Sequence, residues 1–434
     1  MAEKQQDIHT GMKMTEAGWI PEDWVCKQIG TIGYTYNGIT GKTKSDFGVG
    51  NARYITFLNI LNNPQIDTKI FERVNITDKD GQNAVIKGDL FFNTSSETPE
   101  EVGICSTLTE EVQNVYLNSF CFGFRLTDKE LDGLYLSYYF RSHNGRALMT
   151  MLAQGATRYN LSKENFNKSY IGVPSTKNEQ HRIAQVLSDI DALIASLSRT
   201  IEKKRLMKQG AMQQLLTGKT RIKGFKGEWV EKELGEIGEL TSAGVDKTIK
   251  EDESSIRLLN FLDVYNRDRI YSRELTMWVT ASEMKVQKCD VRCGDIFLTP
   301  SSEMPNDVGR SAVAMQDIPD ACYSYHILRL RPYERLDLYY SAYMLKTPEY
   351  EQQIRSFSEG SGKRYVISLK NFREMHIRIP SDIREQETIG LKLATMDNEI
   401  ESLEIELQKY KVLKQGMMQK LLTGQIRLSY GKES

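Results

Sequence analysis

An eleven-residue stretch occurs twice in the chain: Lys208-Gln-Gly-Ala-Met-Gln-Gln-Leu-Leu-Thr-Gly218 and Lys414-Gln-Gly-Met-Met-Gln-Lys-Leu-Leu-Thr-Gly424, 206 residues apart. Each copy closes a heptad-patterned segment. Apolar residues fall at Ile183, Leu187, Ile190, Ile194, Leu197 and Ile201, and again at Ile389, Leu393, Met396, Ile400, Leu403 and Leu407, followed by Tyr410. Spacings that alternate between four and three put one apolar seam on each of two helices, the pattern of coiled-coil pairing. Two matched seams in one chain most simply bury each other. A helix of about 38 residues spans roughly 57 Å. The intervening segment is tethered to the end of the first helix and the start of the second. Those points are neighbours only if the helices run antiparallel, so antiparallel pairing is expected.

The repeat reaches well beyond the helices. Gly88-Asp-Leu-Phe-Phe-Asn-Thr-Ser-Ser-Glu-Thr-Pro-Glu-Glu-Val-Gly103 matches Gly294-Asp-Ile-Phe-Leu-Thr-Pro-Ser-Ser-Glu-Met-Pro-Asn-Asp-Val-Gly309. Arg158-Tyr159 matches Arg364-Tyr365; Pro174 and Glu179-Gln180 match Pro380 and Glu385-Gln386. Each half therefore reads as a globular part followed by a long helix, the two halves related by a pseudo-two-fold axis. Short apolar runs between Gly, Asn and Pro predict strands at 54–60, 89–92 and 120–126, and near-helical spacing predicts helices at 134–151 and from 336 to about 354. The fold class expected is mixed α/β (α+β). Gly218 and Gly424 stand where a left-handed helix cap belongs, and residues 219–228, rich in Gly and Lys, read as a linker.

Composition narrows the function. With 57 basic and 58 acidic residues the chain is close to neutral, so a nucleic-acid surface would have to be local. Six scattered cysteines suggest free thiols in a reducing compartment, and neither a secretory leader nor a membrane-spanning run is recognisable; a cytosolic protein is expected. The motifs HExxH, GxSxG and a helix-opening GxGxxG are missing. Gly41-Lys-Thr43 and Gly218-Lys-Thr220 lack the earlier glycine of a phosphate-binding loop and read as loop or cap residues. Cys289 and Cys293 have no second ligand pair at zinc spacing.

What remains is a pair of polar loops present in both halves. The first carries Asn93, Thr94, Ser95, Ser96 and Thr98, matched by Thr299, Ser301 and Ser302. The second carries Arg158, Tyr159, Asn160 and Lys163, matched by Lys363, Arg364 and Tyr365. Hydroxyls, amides, an arginine and an aromatic on Gly-bearing loops suit phosphates and base edges. Ordinary turns with internally satisfied side chains use the same residues, and composition leaves both readings open. Repetition favours a shared task, with Arg158 and Arg364 as its centre. Lys203, Lys204, Arg205 and Lys208, and likewise Lys409, Lys411, Lys414 and Lys420, cluster late in each helix. They suit either the helix dipole or a DNA backbone.

Taken together, the two Pro-x₄-Glu-Gln helix starts, the two Lys-Gln-Gly-x-Met-Gln-x-Leu-Leu-Thr-Gly ends and the half-chain repeat resemble the specificity (S) subunit of Type I restriction–modification systems, over essentially the whole sequence. The resemblance implies target recognition domains at 1–177 and 229–383, spacer helices at 178–218 and 384–424, a linker at 219–228 and a tail at 425–434. It implies a bipartite, asymmetric DNA site, with two adenine-N6 methyltransferase subunits and ATP-dependent motor-nuclease (restriction) subunits as partners. S-adenosylmethionine, ATP and magnesium would belong to those partners; this chain would hold no cofactor or metal and perform no catalysis. A coiled-coil scaffold with paired protein- or carbohydrate-binding domains is the alternative, and an enzyme with an unfamiliar motif a third.

The repeat makes a direct prediction. A fragment of residues 1–224 keeps half of the helix interface and should self-associate through Ile183, Leu187, Ile190, Ile194, Leu197 and Ile201. With methyltransferase partners it should modify an interrupted palindrome, which mapping of methylated adenines would reveal. A fragment that stays monomeric at high concentration contradicts this.

Overall fold

The long helices begin and end where local chemistry dictates. The computed structural model describes residues 11–361 and 364–428. In it the first long helix spans Lys177–Leu215 and the second Ile383–Leu421, each 39 residues. Past each helix, Gly218 and Gly424 adopt φ of +69° and +71°. A side chain there would be strained in backbone conformation and crowded as well: a Cβ on Gly424 would lie 2.3 Å from Pro21, and one on Gly218 would lie 3.3 Å from the Trp229 ring. Both glycines thus let the chain turn tightly against a domain.

The chain divides into two compact units, residues 1–197 with 406–434 and residues 198–405. In the first unit, a four-stranded antiparallel sheet runs in the order Gly33–Asn37, Cys121–Leu126, Leu90–Asn93, Cys105–Thr107. A second sheet sets Phe47–Ile55 between Val115–Leu117 (parallel) and Glu72–Val74 (antiparallel). Strand alternation aims Phe92, Phe122 and Phe124 inward, where the Phe166 ring meets all three at centroid distances of 5.0, 5.7 and 5.6 Å. Each such ring stabilises the fold by about 1.5–3 kcal/mol through burial. The second unit repeats the arrangement with five strands (Gly238–Thr241, Leu328–Pro332, Ile296–Leu298, Ser311–Ala314, Arg269–Ile270) and a separate four-stranded sheet. The mixed α/β class read from the sequence is the class observed.

Two local expectations need correction. The apolar run 54–60 is not one strand: the strand ends at Ile55, and Phe57–Asn62 is helical. Thr56 switches the chain by accepting a hydrogen bond on its hydroxyl from the Asn59 N–H, an N-cap that outweighs apolar continuity. The predicted helix 134–151 is two helices, Gly133–Arg141 and His143–Leu152, because Ser142 ends the first in extended backbone and caps the second. Its counterpart is also broken, into Leu338–Ser341 and Pro348–Phe357. Pro348 cannot donate the backbone bond that an unbroken helix would require.

The repeated Pro-x₄-Glu-Gln has a geometric explanation. In the first unit the Gln180 amide donates to the Pro174 carbonyl (3.0 Å) and accepts from the Asp132 N–H (2.9 Å). Gln386 does the same with Pro380 (2.9 Å) and Asp337 (3.2 Å) in the second. Both glutamines are buried, so these bonds lock each long helix to its own domain.

The neighbouring glutamates reach the other helix. Glu179, at the start of the first helix, takes two 2.7 Å hydrogen bonds from Arg427, just past the end of the second. Glu385, at the start of the second, takes two 2.7 Å bonds from Arg221, past the end of the first. Each unit therefore holds one helix start against the other helix's end, which makes the pairing antiparallel in both. A second tie repeats as well. Asp191 accepts from the Tyr138 hydroxyl (2.8 Å) and pairs with Lys414 (2.5 Å); Asp397 accepts from the Tyr343 hydroxyl (2.5 Å) and pairs with Lys208. Lys204 and Arg205 pair at 2.5 Å with Glu399 and Glu404. Lys204, Arg205, Lys208 and Lys414 thus tie one helix to the other, while Lys203, Lys409, Lys411 and Lys420 are exposed.

Seam residues divide by position. Ile183 and Leu187 are buried in one core with Tyr135, Leu136 and, from the end of the second helix and just past it, Leu421 and Leu422. Ile389 and Leu393 share a core with Tyr340, Tyr343, Leu215 and Leu216. Ile190, Ile201 and Ile400 are also buried, whereas Ile194, Leu197, Met396, Leu403 and Leu407 are half-buried. The outer seam thus serves the domain cores as much as the helix pair.

Glu385 has a side chain only 1 % exposed. Glu385→Ala would strand Arg221, and chemical denaturation should show a loss of about 3–5 kcal/mol. Wild-type stability in that variant would contradict a buried clasp.

Candidate nucleic-acid interface

The two polar loops of each half are stitched into one small sheet. Ser95–Ser96 pairs antiparallel with Tyr159–Leu161, which pairs with Ala153–Gln154. In the second half Ser301–Ser302 pairs with Arg364–Val366, which pairs with Glu359–Ser361. Loops about 60 residues apart in sequence therefore form a single surface.

A serine–arginine contact marks the centre of each surface. Arg158 Nε donates to Ser95 Oγ at 3.1 Å; Arg364 donates to Ser301 Oγ through Nε (3.3 Å) and Nη2 (2.8 Å). Both arginines are exposed. Each side chain is thus oriented by one hydroxyl while most of its five donors stay available. Asn160 is exposed beside Arg158, and Tyr159 and Tyr365 are half-buried in the central strands. Thr94 and Ser302 are half-buried, and Ser96 donates to the Glu101 carboxylate at 3.0 Å. Thr98 is exposed at the start of the short helix Pro99–Glu101. Lys163 pairs with Asn37 and sits 5.5 Å above the Phe122 ring, and burial lowers its ammonium pKa from the ordinary value. Lys363 lies outside the described residues.

Three candidates are buried: Ser301, the acceptor of Arg364, and also Asn93 and Thr299. Asn93 is 1 % exposed; its amide donates to the Ser95 (3.3 Å) and Glu101 (2.7 Å) carbonyls and accepts from the Ile104 N–H. Thr299 is fully buried, donating to the Asp307 carbonyl (3.1 Å) and accepting from the Arg310 N–H (3.0 Å). Both brace the loop from beneath, because a polar side chain directly after a buried strand must satisfy itself locally. The repeated Gly-Asp before that strand is structural too. Asp89 and Asp295 are buried and gripped bidentately by Arg125 (2.9 and 2.7 Å) and Arg331 (2.7 Å twice).

Other side chains near these surfaces escaped the sequence reading. Phe120 is 61 % exposed, and its carbonyl accepts from the Thr94 N–H at 3.0 Å. In the second half, Tyr325 and His326 lie in the corresponding loop, ring centroids 3.8 Å apart. Burial, helped by the Lys247 and Arg364 cations, lowers the His326 pKa below its ordinary value, so its ring is neutral near pH 7. Their one sequence signal was position: 120 and 326 differ by the same 206 as the other repeats.

Cys289 donates its thiol to the Ala243 carbonyl and Cys293 to that of Met315. Among the described residues no three His, Cys, Asp or Glu side chains gather as a metal site, and no helix is long and apolar enough to cross a membrane.

Two domains carrying one repeated surface, held on paired long helices, define a recognition module used twice. The chain belongs to the Type I restriction modification DNA specificity domain family, whose model matches residues 21–204 and again 226–411. It is 25 % identical over 314 residues to the type I restriction enzyme MjaVIII specificity subunit of Methanocaldococcus jannaschii, covering 69 % of this chain and 72 % of that one. It is 24 % identical over 444 residues, 96 % of each chain, to a protein of the same organism provisionally assigned as the MjaX specificity subunit. In fold it resembles the S subunit of the M. genitalium Type I system, with a TM-score of 0.55 at 17 % identity over 92 % of this chain and 96 % of that one. A chain from a structure describing complex assembly and conformational transition of the type I R-M system gives 0.54 at 15 % identity, over 94 % and 99 %. The protein is a Type I specificity subunit whose role is DNA sequence recognition.

The bracing role of Asn93 is testable. Asn93→Ala would leave the Ile104 N–H and two carbonyls without partners, and urea unfolding should show about 1–3 kcal/mol lost for each buried group left unpaired. An unchanged midpoint would return Asn93 to the surface.

Proposed function

We propose that each serine–arginine surface reads one half of a bipartite, asymmetric DNA site. The observation that carries this is the repetition: Ser95–Arg158 and Ser301–Arg364 stand at one sequence offset, in the same three-stranded setting, with exposed guanidinium groups. Such an arginine suits guanine O6 and N7, or a phosphate. The sequences flanking the two arginines differ, Gly155-Ala-Thr against Gly360-Ser-Gly-Lys, which supports different half-sites. Ser95, Ser96, Thr98, Tyr159, Asn160 and Lys163, with Ser302 and Tyr365, would complete the two surfaces.

In this reading the chain brings no catalysis of its own. It recruits two adenine-N6 methyltransferase subunits, which use S-adenosylmethionine, and restriction subunits that use ATP and magnesium, in the cytoplasm. That a structure described as Type I complex assembly shares this fold supports the assignment.

The test is base-resolved. Arg158→Ala and Arg364→Ala, each assembled with methyltransferase subunits, should lose about 1–3 kcal/mol at the cognate site. Discrimination should relax in one half-site per variant, a different half for each. An equal loss on all sequences would make them phosphate contacts, and no loss would leave these sheets purely structural.

A further inference from the structure

Beside each small sheet stands a turn built to the same plan. In the first half it is Asn118-Ser119-Phe120. Asn118 is 5 % exposed; its amide donates to the Ile55 carbonyl (3.0 Å) and accepts from the Phe120 N–H (2.9 Å). The Cys121 N–H returns to the Asn118 carbonyl, and the Phe120 carbonyl is held by Thr94. Gly38 lies against this turn so closely that a Cβ would come within 2.0 Å of the Asn118 carbonyl oxygen. In the second half the turn is Ser324-Tyr325-His326, each residue 206 positions on. The fully buried Ser324 accepts the His326 N–H on its hydroxyl (3.3 Å), and the Ile327 N–H returns to the Ser324 carbonyl (3.1 Å). Gly244, again 206 positions on from Gly38, presses on it in the same way, with 2.2 Å to the Ser324 carbonyl carbon.

A buried side-chain cap, a backing glycine and a closing backbone bond fix this turn rigidly in both halves. Its third residue is the product of that construction: a large apolar ring, 61 % exposed, in one half, and an imidazole tilted at 37° against an exposed tyrosine in the other. Exposing a phenylalanine on a rigid turn has no stabilising return within the domain. The ring also stands next to the polar surface, since Thr94 bonds both the Phe120 carbonyl and, through its own carbonyl, the Leu161 N–H of the arginine-bearing hairpin.

We propose that this turn is a further specificity-determining element of each recognition surface: Phe120 makes an apolar contact with a base of the first half-site, and His326, backed by Tyr325, makes a polar contact with a base of the second. Aromatic rings pack on the thymine methyl group, whereas a neutral imidazole can donate to or accept from a base edge. The chemical difference at one equivalent position then contributes to the asymmetry of the site. The inference rests on the DNA-facing assignment of the serine–arginine surfaces.

The experiment selects bound duplexes from a randomised library with the full chain assembled with its methyltransferase subunits, and sequences them. Phe120→Ala should flatten base preference at one position of the first half-site by about tenfold, leaving the second unchanged. His326→Ala should do the converse. Phe120→His should restore discrimination there with an altered base choice, and it serves if the alanine variant folds poorly; His326→Gln serves likewise. Arg158→Ala, run in parallel, separates the two claims. If it alters the first half-site while both Phe120 variants match wild type, the turn is overturned and the arginine surface stands. If none of the variants changes any position, both readings fall. A loss uniform over all sequences also overturns the base contact.

Discussion

The crossed pairing of Glu179 with Arg427, and of Glu385 with Arg221, is the constraint on which the rest of the structure depends. A glutamate at the start of a helix could have been satisfied by its own backbone amides or by water. Here it is buried and bound bidentately by an arginine that belongs, in sequence, to the far end of the other helix. A carboxylate removed from water needs both its partner and good geometry. That requirement ties the two helix ends together and dictates an antiparallel pairing. Trp229 lies 5.8 Å from the Arg221 guanidinium, Gly218 packs on the same ring, and Asp23 adds a second carboxylate to Arg427.

Packing follows from that arrangement. Leu421 and Leu422 close a core that begins at Ile29 and runs through Tyr135 to Leu187; Leu215 and Leu216 close the matching one. The first core is completed by a distant segment, residues 406–434, whereas the second lies within the continuous stretch 198–405. The first globular part takes Leu421 and Leu422 from the end of a helix that begins at Ile383, whereas the second takes Leu215 and Leu216 from just before its own first strand. The Tyr–Asp–Lys ties add polar specificity to an apolar seam, because an aspartate facing a lysine and a tyrosine hydroxyl penalises slippage in register.

The proposed recognition surfaces are braced from within each unit. Asn93 and Thr299 anchor the loops after a buried strand, the small three-stranded sheet couples them to the hairpin, and a single hydroxyl orients each arginine. A surface that reads sequence must hold its donors in fixed directions, since base discrimination rests on hydrogen-bond geometry. Phe120 and His326 differ in chemistry at one equivalent position of a turn whose backbone closure is shared.

Much of this was legible in the sequence because repetition is independent of the third dimension. The 206-residue offset, the heptad spacing and the glycine caps showed two similar halves and two long helices, and the duplicated loops offered Arg158 and Arg364 as candidates. Local competition was not legible: Thr56 and Ser142 cap helices inside runs that read as one strand or one helix, since a side-chain hydrogen bond to the backbone outweighs apolar periodicity only when the turn is actually formed. Nor could the sequence show that Asn93, Thr299 and Ser301 are buried while Ser95 is half-buried. They lie two positions apart in each loop, and their burial is set by the elements that pack around them. The late-helix lysines had two plausible destinations until tertiary structure set Asp191 and Asp397 opposite Lys414 and Lys208. Composition and spacing determine what each segment can do alone. Burial and the partner of each charge are properties of segments brought together, and those only the folded chain decides.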